Sequence, residues 1–291
     1  MLNVATEAAS EAASQQAPVG VFDSGIGGLS VIKHLRQQLP QERFLYVADS
    51  GYAPYGERSE EEIIARSIKI TEFFLQHHIK ALVVACNTAT AAAVAVLRQR
   101  YPDVIIVGIE PGLKPAAAIS QVKRVGVLAT RSTLNSEKFT LLREQLSAET
   151  KTQFIPQACV GLVNQIEQGD LNAPTLIELL RGYVTPLLEQ GVDTLVLGCT
   201  HYPFVEHLIR QVVEEYQAAH AEKNTVHLID TGEAVARRLL NLLTERQLLK
   251  VNGTQELQAW TTGQVTILRY GLSFMLNQTQ LDNTPAVSIQ I

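Results

Sequence analysis

The chain alternates short apolar runs with segments whose apolar residues recur at helical spacing. The first such segment places Leu29, Ile32, Leu35 and Leu39 on one face of a helix. The short apolar runs are typical of strands that are covered on both faces of a parallel sheet. We predict strands within residues 18–28, 43–50, 81–90, 104–112, 124–130, 153–159 and 194–203, and a last strand and helix within 257–276. This order predicts an α/β fold, in which mostly parallel sheets are flanked by helices.

Two pairs of motifs suggest that the chain contains an internal repeat. VGVFDSG at 19–25 parallels VGVLATR at 125–131, and VVACNT at 83–88 parallels VLGCTH at 196–201. The two members of each pair are separated by a similar number of residues. We therefore predict two similar lobes, related by an approximate twofold, with a site between the carboxyl ends of their strands. The predicted domains are residues 18–114 with 226–291, and residues 115–225, after a flexible extension at 1–17; residues 277–291 are expected to be a loose tail.

Two cysteines occupy corresponding places in the repeat. Cys86 and Cys199 each end an apolar run and are followed by polar residues, which are unusual after a core position. Two unrelated core cysteines remain the simplest alternative, and Cys159, which has no such neighbours, is expected to be a small buried hydrophobe. A disulfide oxidoreductase would usually show C-x-x-C, which is absent. A cysteine hydrolase needs one thiolate and a histidine, which would leave the second cysteine unexplained.

Two thiols on opposite sides of one carbon suit proton transfer. One removes a proton and the other returns it on the opposite face, which inverts the centre. A thiol has an ordinary pKa of about 8.5, so the base needs a neighbouring group, for which Asp23 and His201 are the candidates. Donors from Asn87, Thr88 and Thr200 are expected to hold a carboxylate and to stabilise enolate-like charge.

Two loops are further candidates for ligand contact. DSGIGG at 23–28 is an incomplete dinucleotide fingerprint, because the third glycine would fall at Ser30, and no Walker Lys-Ser/Thr pair follows. Either these glycines let the backbone approach a small ligand, with Asp23 and Ser24 at a strand tip, or Asp23 only caps a turn. Residues 51–59 form a loop in which Tyr55 and Gly56 would suit a rigid ligand-contacting turn.

Composition and charge narrow the function classes. The formal net charge is −5 and no dense Lys/Arg block is present, which argues against nucleic-acid binding. No apolar run is long enough to span a bilayer, and the amino-terminal residues lack the pattern of a secretory signal. Three cysteines without zinc-site spacing argue against a disulfide framework or a metal site and favour a reducing cytoplasm.

Six motifs, taken together and in this order, resemble the glutamate racemases of the aspartate/glutamate racemase superfamily: FDSGIGGLSV, YVADSGYAPYGERS, VVACNTATA, GIEPGLKPA, LGCTHYPF and LIDTGEAVA. The resemblance runs from about residue 18 to the final helix. It implies a cofactor-independent isomerase, without pyridoxal phosphate or metal, that interconverts L- and D-glutamate. The D-enantiomer would supply peptidoglycan synthesis.

The resemblance also implies roles for individual residues. Cys86 would deprotonate D-glutamate, and Cys199 would deprotonate L-glutamate. The implied substrate contacts are Asp23, Ser24, Tyr55, Gly56, Asn87, Thr88, Thr200 and His201. Asp49 and Glu167 match acidic positions linked to the site in relatives, although Glu167 could equally be a surface helix residue.

Alternatives and partners remain open at this point. An aspartate racemase is the nearest rival, but in aspartate relatives a glutamate commonly replaces the histidine at position 201. A non-catalytic amino-acid-binding protein with two α/β lobes is the rival from another class. Some longer relatives are activated by a uridine-linked muramyl-alanine precursor, and residues 1–17 prompt the hypothesis of similar regulation here. A homodimer is expected without a chosen interface, because relatives dimerise in more than one arrangement.

Overall fold

A computed structural model of the chain describes residues 15–220, 225–276 and 284–291. The strands are, in chain order, β1 (Val19–Asp23), β2 (Arg43–Ala48), β3 (Ala81–Val84), β4 (Ile105–Gly108), β5 (Arg124–Ala129), β6 (Gln153–Ala158), β7 (Thr194–Leu197), β8 (His227–Ile229), β9 (Glu256–Thr261) and β10 (Ala286–Ser288). The helices described over their whole length are α1 (Leu29–Gln38), α2 (Glu60–Gln76), α3 (Asn87–Arg100), α4 (Leu113–Ile119), α5 (Arg131–Asn135), α6 (Glu137–Thr150), α7 (Leu162–Glu167), α8 (Pro174–Glu189), α9 (Glu206–His220), α10 (Gly232–Glu245) and α11 (Val265–Met275). Most of the predicted extension, residues 1–14, and residues 277–283 of the predicted tail lie outside the described residues.

The strands form two parallel sheets flanked by helices, which confirms the predicted fold class. The first sheet has the order β10-β9-β2-β1-β3-β4, and the second has the order β6-β5-β7-β8. We call the first sheet with its helices the first lobe, and the second sheet with its helices the second lobe. The chain passes to the second lobe after β4 and returns to the first after β8. The predicted domain bounds at 114/115 and 225/226 stay a prediction.

The strands that precede Cys86 and Cys199 lie inside their sheets. β3 pairs with β1 on one side and with β4 on the other, and β7 lies between β5 and β8. All four residues of each strand are buried. Coverage on both faces explains why each strand is a nearly continuous apolar run rather than an alternating pattern.

The end of the chain does not form the loose tail that the sequence suggests. β10 pairs in parallel with β9, and the Ile289 N–H donates to the Thr261 carbonyl over 2.9 Å. Ile289 and Ile291 pack against the apolar cluster that contains Cys86. A strand of three residues is too short for its periodicity to be recognised in the sequence, so its pairing partner decides its structure.

The carboxyl ends of the two sheets face each other. Thr200, just after β7, donates its hydroxyl to Asp23 Oδ2 at the end of β1 over 3.2 Å. The Ser30 hydroxyl of α1 donates to the Thr200 carbonyl over 3.0 Å. Ligand sites of parallel sheets gather at this edge, so the junction of the two lobes is the place to look for one.

Candidate active site

Cys86 lies at the junction of β3 and α3, where it is the N-cap of the helix. Its sulfur accepts a hydrogen bond from the Ala89 N–H over 3.4 Å and donates to the Ser24 hydroxyl over 3.7 Å. The side chain is buried. Burial, followed by the negative charge of Asp23, raises the pKa of the Cys86 thiol far above its ordinary value. In this arrangement Cys86 therefore holds its proton.

Cys199 follows β7 and contacts a histidine. His201 Nδ1 lies 3.7 Å from the Cys199 sulfur, and His201 Nε2 lies 2.6 Å from Glu167 Oε1. Burial alone would lower the pKa of His201, but the hydrogen bonds and charges of Cys199 and Glu167 outweigh it and raise the pKa well above its usual value. His201 therefore lies between a sulfur and a carboxylate, and both neighbours favour its imidazolium form.

Glu167 ties the second lobe to two loops of the first. Its Oε1 accepts the Ile26 N–H over 2.7 Å, and its Oε2 accepts the Ser50 hydroxyl over 3.0 Å. Burial would raise the pKa of Glu167, but the hydrogen bond and charge of His201, with these two donors, bring it below its usual value. The alternative of a surface helix residue is wrong, because the side chain is only 14% exposed.

Asp23 is fully buried where the lobes meet. Its Oδ2 accepts the Gly28 N–H over 2.7 Å as well as the Thr200 hydroxyl. Burial raises the pKa of Asp23 above its usual value, although the charge of His201 opposes this. Asp23 Oδ1 has no hydrogen-bond partner among the described residues. Asp23 thus caps the glycine turn with one oxygen and leaves the other for a further donor.

The glycine loop is shaped by the second lobe. A Cβ at Gly25 would lie 2.0 Å from Glu167 Oε1, and a Cβ at Gly27 would lie 2.4 Å from His201 Nδ1. At both glycines the space that a side chain would take is filled by protein side chains, and the expected approach of a small ligand to this backbone stays a prediction. Their missing side chains let Glu167 and His201 reach the strand tip.

The loop after β2 is held by a buried carboxylate. Asp49 Oδ2 accepts the Tyr55 hydroxyl over 2.5 Å, and both Asp49 oxygens accept hydrogen bonds from the Arg66 guanidinium. Tyr55 is itself buried, and a Cβ at Gly56 would lie 3.0 Å from the Thr130 Cβ of the second lobe. The loop therefore reaches the junction of the lobes, as the predicted substrate contacts require.

The residues after Cys86 also face the second lobe. The Thr88 hydroxyl lies 3.1 Å from that of Thr130 and 3.3 Å from that of Thr133. Asn87 is 5% exposed, yet neither its amide nitrogen nor its amide oxygen has a partner among the described residues. Buried amides are normally hydrogen-bonded, so Asn87 is suited to bind a polar ligand.

A cleft of about 300 Å³ opens between the lobes beside this junction. Gly56 of the first lobe and Thr130 and Cys159 of the second line it. Cys159 is buried, as expected, and burial raises its thiol pKa to about 12, which keeps it protonated. Cys159 therefore fits the predicted small hydrophobe.

The structure thus brings most of the predicted residues to one junction. Asp23, Ser24, Cys86, Thr200 and His201 are linked through direct contacts or adjacent positions. The sequence analysis missed Arg66, Tyr46, Thr130 and Thr133. Tyr46 donates its hydroxyl to the Gly25 carbonyl over 2.5 Å, and no local sequence pattern predicts this contact.

Two general properties concern the described residues. No group of three or more His, Cys, Asp and Glu side chains among them is arranged to hold a metal ion. No helix in these ranges combines the length and apolarity needed to cross a membrane.

Comparison with known proteins gives consistent matches. A sequence model of the Asp/Glu/Hydantoin racemase family matches residues 19–239. The glutamate racemase of Ectopseudomonas mendocina is 51% identical over 263 residues, which cover 90% of this chain and 96% of that protein. The structure of Francisella tularensis glutamate racemase in complex with D-glutamate aligns with a TM-score of 0.77 at 27% identity, over 95% of this chain and 98% of that one. The structure of Escherichia coli glutamate racemase in complex with L-glutamate and the activator UDP-MurNAc-Ala aligns with a TM-score of 0.72 at 29% identity. The alignment covers 93% of this chain and 97% of that one.

Proposed function

We propose a function for this chain from the premise that it belongs to the Asp/Glu/Hydantoin racemase family. Membership makes it an isomerase, and more narrowly a racemase. The reaction we propose is the interconversion of L- and D-glutamate by two cysteines, without a cofactor. The relatives solved with D-glutamate and with L-glutamate support this choice of substrate.

The observation that carries the proposal is the hydrogen bond from Thr200 to Asp23. Thr200 follows Cys199 directly in the chain. Asp23 is followed by Ser24, whose hydroxyl accepts a hydrogen bond from the Cys86 thiol, so the bond brings the surroundings of both cysteines together. Cys199 also acts electrostatically on Cys86, since its charge is one of the causes that raise the Cys86 pKa. Two thiols at one junction, each on its own lobe, support proton transfer on two faces of one carbon.

The proposed reaction begins with the Cys199 thiolate and L-glutamate. The sulfur takes the α-proton, and the electron pair of the broken C–H bond moves into the α-carboxylate as an enediolate. The Cys86 thiol then gives its proton to the opposite face of the carbon, which forms D-glutamate. Cys199 ends as a thiol and Cys86 as a thiolate, which is the starting state of the reverse reaction.

The protonation of Cys86 fits the first direction. Burial and the charge of Asp23 raise the pKa of Cys86, so its thiol holds the proton that the second step gives to the carbon. His201, whose pKa is also raised, lies beside Cys199. For the reverse reaction the Cys86 thiolate needs a nearby positive charge, and the α-ammonium group of the substrate can supply it. Asp23 Oδ1, which lacks a partner among the described residues, is suited to accept from that ammonium.

The substrate carboxylates need donors at the same junction. Asn87 has an unpartnered amide within the described residues, and Thr88, Thr200 and the loop at Tyr55 and Gly56 surround it from both lobes. Such donors would stabilise the enediolate more than the ground state, because charge develops on the carboxylate oxygens. Both thiols are buried, so the proposed reaction requires an opening at the junction through which glutamate enters.

Aspartate is the competing substrate, and polarimetry with each amino acid tests the choice. We expect the optical rotation of L-glutamate to decay to zero, while that of L-aspartate persists. Decay with aspartate alone would overturn the substrate assignment. No decay with either would favour the amino-acid-binding alternative.

The cellular role we propose is the supply of D-glutamate for peptidoglycan synthesis in the cytoplasm. A homodimer remains a prediction, which analytical ultracentrifugation of the purified chain tests. A sedimentation coefficient of a monomer at micromolar concentration would contradict it.

Activation by a uridine-linked muramyl-alanine precursor is also proposed, on the precedent of the E. coli relative solved with UDP-MurNAc-Ala. The described end of the amino-terminal extension lies away from the site. Gln15 lies at the amino edge of the first sheet, where its carbonyl accepts from Lys80 over 2.8 Å. The five residues of β1 separate that edge from the site by about 16 Å. The test is the racemisation rate with and without the precursor, and an unchanged rate would remove the idea.

A further inference from the structure

Arg66 occupies a buried position between the loop of residues 50–56 and the end of the chain. It lies on α2, is 7% exposed, and directs its guanidinium at three different groups. Nε and Nη2 donate to the two oxygens of Asp49 over 2.9 and 2.7 Å, and Nη1 donates to the Ile291 main-chain oxygen over 2.6 Å. The guanidinium carbon also lies 3.8 Å from the centre of the Tyr52 ring.

Asp49, whose carboxylate is held by Arg66, is hydrogen-bonded to the loop of residues 50–56 directly and through Thr262. One oxygen accepts the Tyr55 hydroxyl, and the other accepts the Thr262 hydroxyl over 2.8 Å. Thr262 in turn accepts the Gly51 N–H over 3.0 Å. Both ends of the loop are therefore anchored, directly or through one residue, to the carboxylate that Arg66 holds.

The end of the chain completes the assembly. β10 adds an edge strand to β9, and Ile289 and Ile291 pack against the apolar cluster that includes Tyr55 and Cys86. This packing brings the Ile291 oxygen to the third donor of Arg66. A bidentate guanidinium that also donates to a fixed main-chain oxygen has its orientation set, which a single charge contact cannot do.

We propose that Arg66, held by the segment 286–291, is a positioning residue that fixes Tyr55 and Gly56 for substrate binding. The inference rests on the proposed function only for the name of the substrate. Arg66 touches neither reacting thiol in the described contacts, so its effect passes through Asp49 and the loop. It follows that loss of the guanidinium geometry weakens glutamate binding and leaves the proton-transfer step nearly unchanged.

Two variants test the proposal. Arg66→Lys keeps the charge but loses the bidentate donor geometry. Deletion of residues 289–291 removes the main-chain acceptor and the packing of Ile289 and Ile291, while the Arg66–Asp49 pair is kept. We expect KM for glutamate to rise about tenfold in Arg66→Lys and less in the deletion, with kcat within about twofold. Combining both changes should give less than the product of the two effects, because they act on one network. Arg100→Lys, in the exposed pair with Glu72, is the matched control and should leave both constants unchanged.

Amide hydrogen exchange without substrate separates this proposal from the proposed function. We expect residues 50–56 to exchange faster in both variants, with the other elements of the first lobe protected as in the wild type. Unchanged exchange and unchanged KM in both variants would overturn the positioning role. So would a fall in kcat with KM unchanged. A wild type that does not racemise glutamate, with faster loop exchange in the variants, would overturn only the proposed function.

Discussion

His201 Nε2 lies 2.6 Å from Glu167 Oε1, and this contact ties the histidine beside Cys199 to both lobes. The same Glu167 oxygen accepts the Ile26 N–H of the first lobe, so His201 is oriented by a carboxylate that is itself held across the junction. Separation of the lobes would break the bond to Ile26 and leave the one to His201. The orientation of His201 beside Cys199 therefore depends on contacts from both lobes.

Replacing Glu167 with Gln should change the pH dependence of the reaction. The substitution removes one of the groups that raise the pKa of His201, so the imidazolium loses its proton at lower pH. We expect the alkaline limb of kcat for L-glutamate to move to lower pH. Initial rates followed by circular dichroism between neutral and alkaline pH measure this shift.

Glu189→Gln, at an exposed helix end, is the control for that profile. It should reproduce the wild-type curve. A Glu167→Gln curve that coincides with the wild type would show that the pair does not govern the charge on His201.

The same pair makes a prediction about stability. The pKa of His201 is raised on folding, so its contribution is complete below about pH 6.5 and is lost as pH rises through the folded value. The pKa of Glu167 is lowered, so its contribution is present above about pH 4.3 and is lost as pH falls. Urea unfolding should therefore give the largest difference between wild type and Glu167→Gln at about pH 4.3–6.5. A difference that grows towards alkaline pH would contradict the assigned directions.

Gly27→Ala should impair catalysis because its Cβ would lie 2.4 Å from His201 Nδ1. Either His201 or the glycine loop must shift, and such overpacking costs about 1–3 kcal/mol of unfolding free energy. We expect kcat/KM for glutamate to fall at least about tenfold, because the Cys199–His201 contact is disturbed.

The matched control is Gly182→Ala on α8, where an added Cβ meets nothing within 4 Å. Alanine is favoured over glycine within a helix, so unfolding free energy should rise by up to about 1 kcal/mol with activity unchanged. Equal activity of the two alanine variants would refute the steric account of the glycine loop.

Asn87→Ala should separate binding from stability. Its amide atoms have no hydrogen-bond partner among the described residues, so removing them takes no bond from the free enzyme. We expect an unchanged or higher melting temperature, and a KM for glutamate raised about tenfold to a hundredfold, as for one or two lost hydrogen bonds. Asn241→Ala, at an exposed position of α10, should leave KM unchanged and raise the melting temperature slightly, because alanine is favoured over asparagine within a helix. A lower melting temperature with normal KM would mean that Asn87 is structural.

The strands and their carboxyl ends could be predicted from the sequence, because burial on both faces requires a continuous run of apolar residues. The runs before Cys86 and Cys199 are apolar because β3 and β7 are interior strands, and the polar residues after them mark the sheet edge. The repeat of these motifs was enough to predict that the two tips belong to corresponding places in two lobes.

Contacts between distant segments could not be predicted in this way. Glu167 meets Ile26 across 141 positions of sequence, and Arg66 meets Ile291 across 225. Such contacts depend on how the lobes and the last strand pack, which the periodicity of either segment does not record. For the same reason, the sequence did not show that Gly25 and Gly27 lie against Glu167 and His201 of the second lobe.

Exchange of the α-proton in D₂O tests the two-thiol account most directly, with wild type, Cys86→Ser and Cys199→Ser assayed from each enantiomer of glutamate. The wild type should form product that carries deuterium at the α-carbon. Each serine variant should lose racemisation, and the remaining thiol should exchange only one enantiomer, L-glutamate in Cys86→Ser and D-glutamate in Cys199→Ser. Full racemase activity in either serine variant would contradict the account.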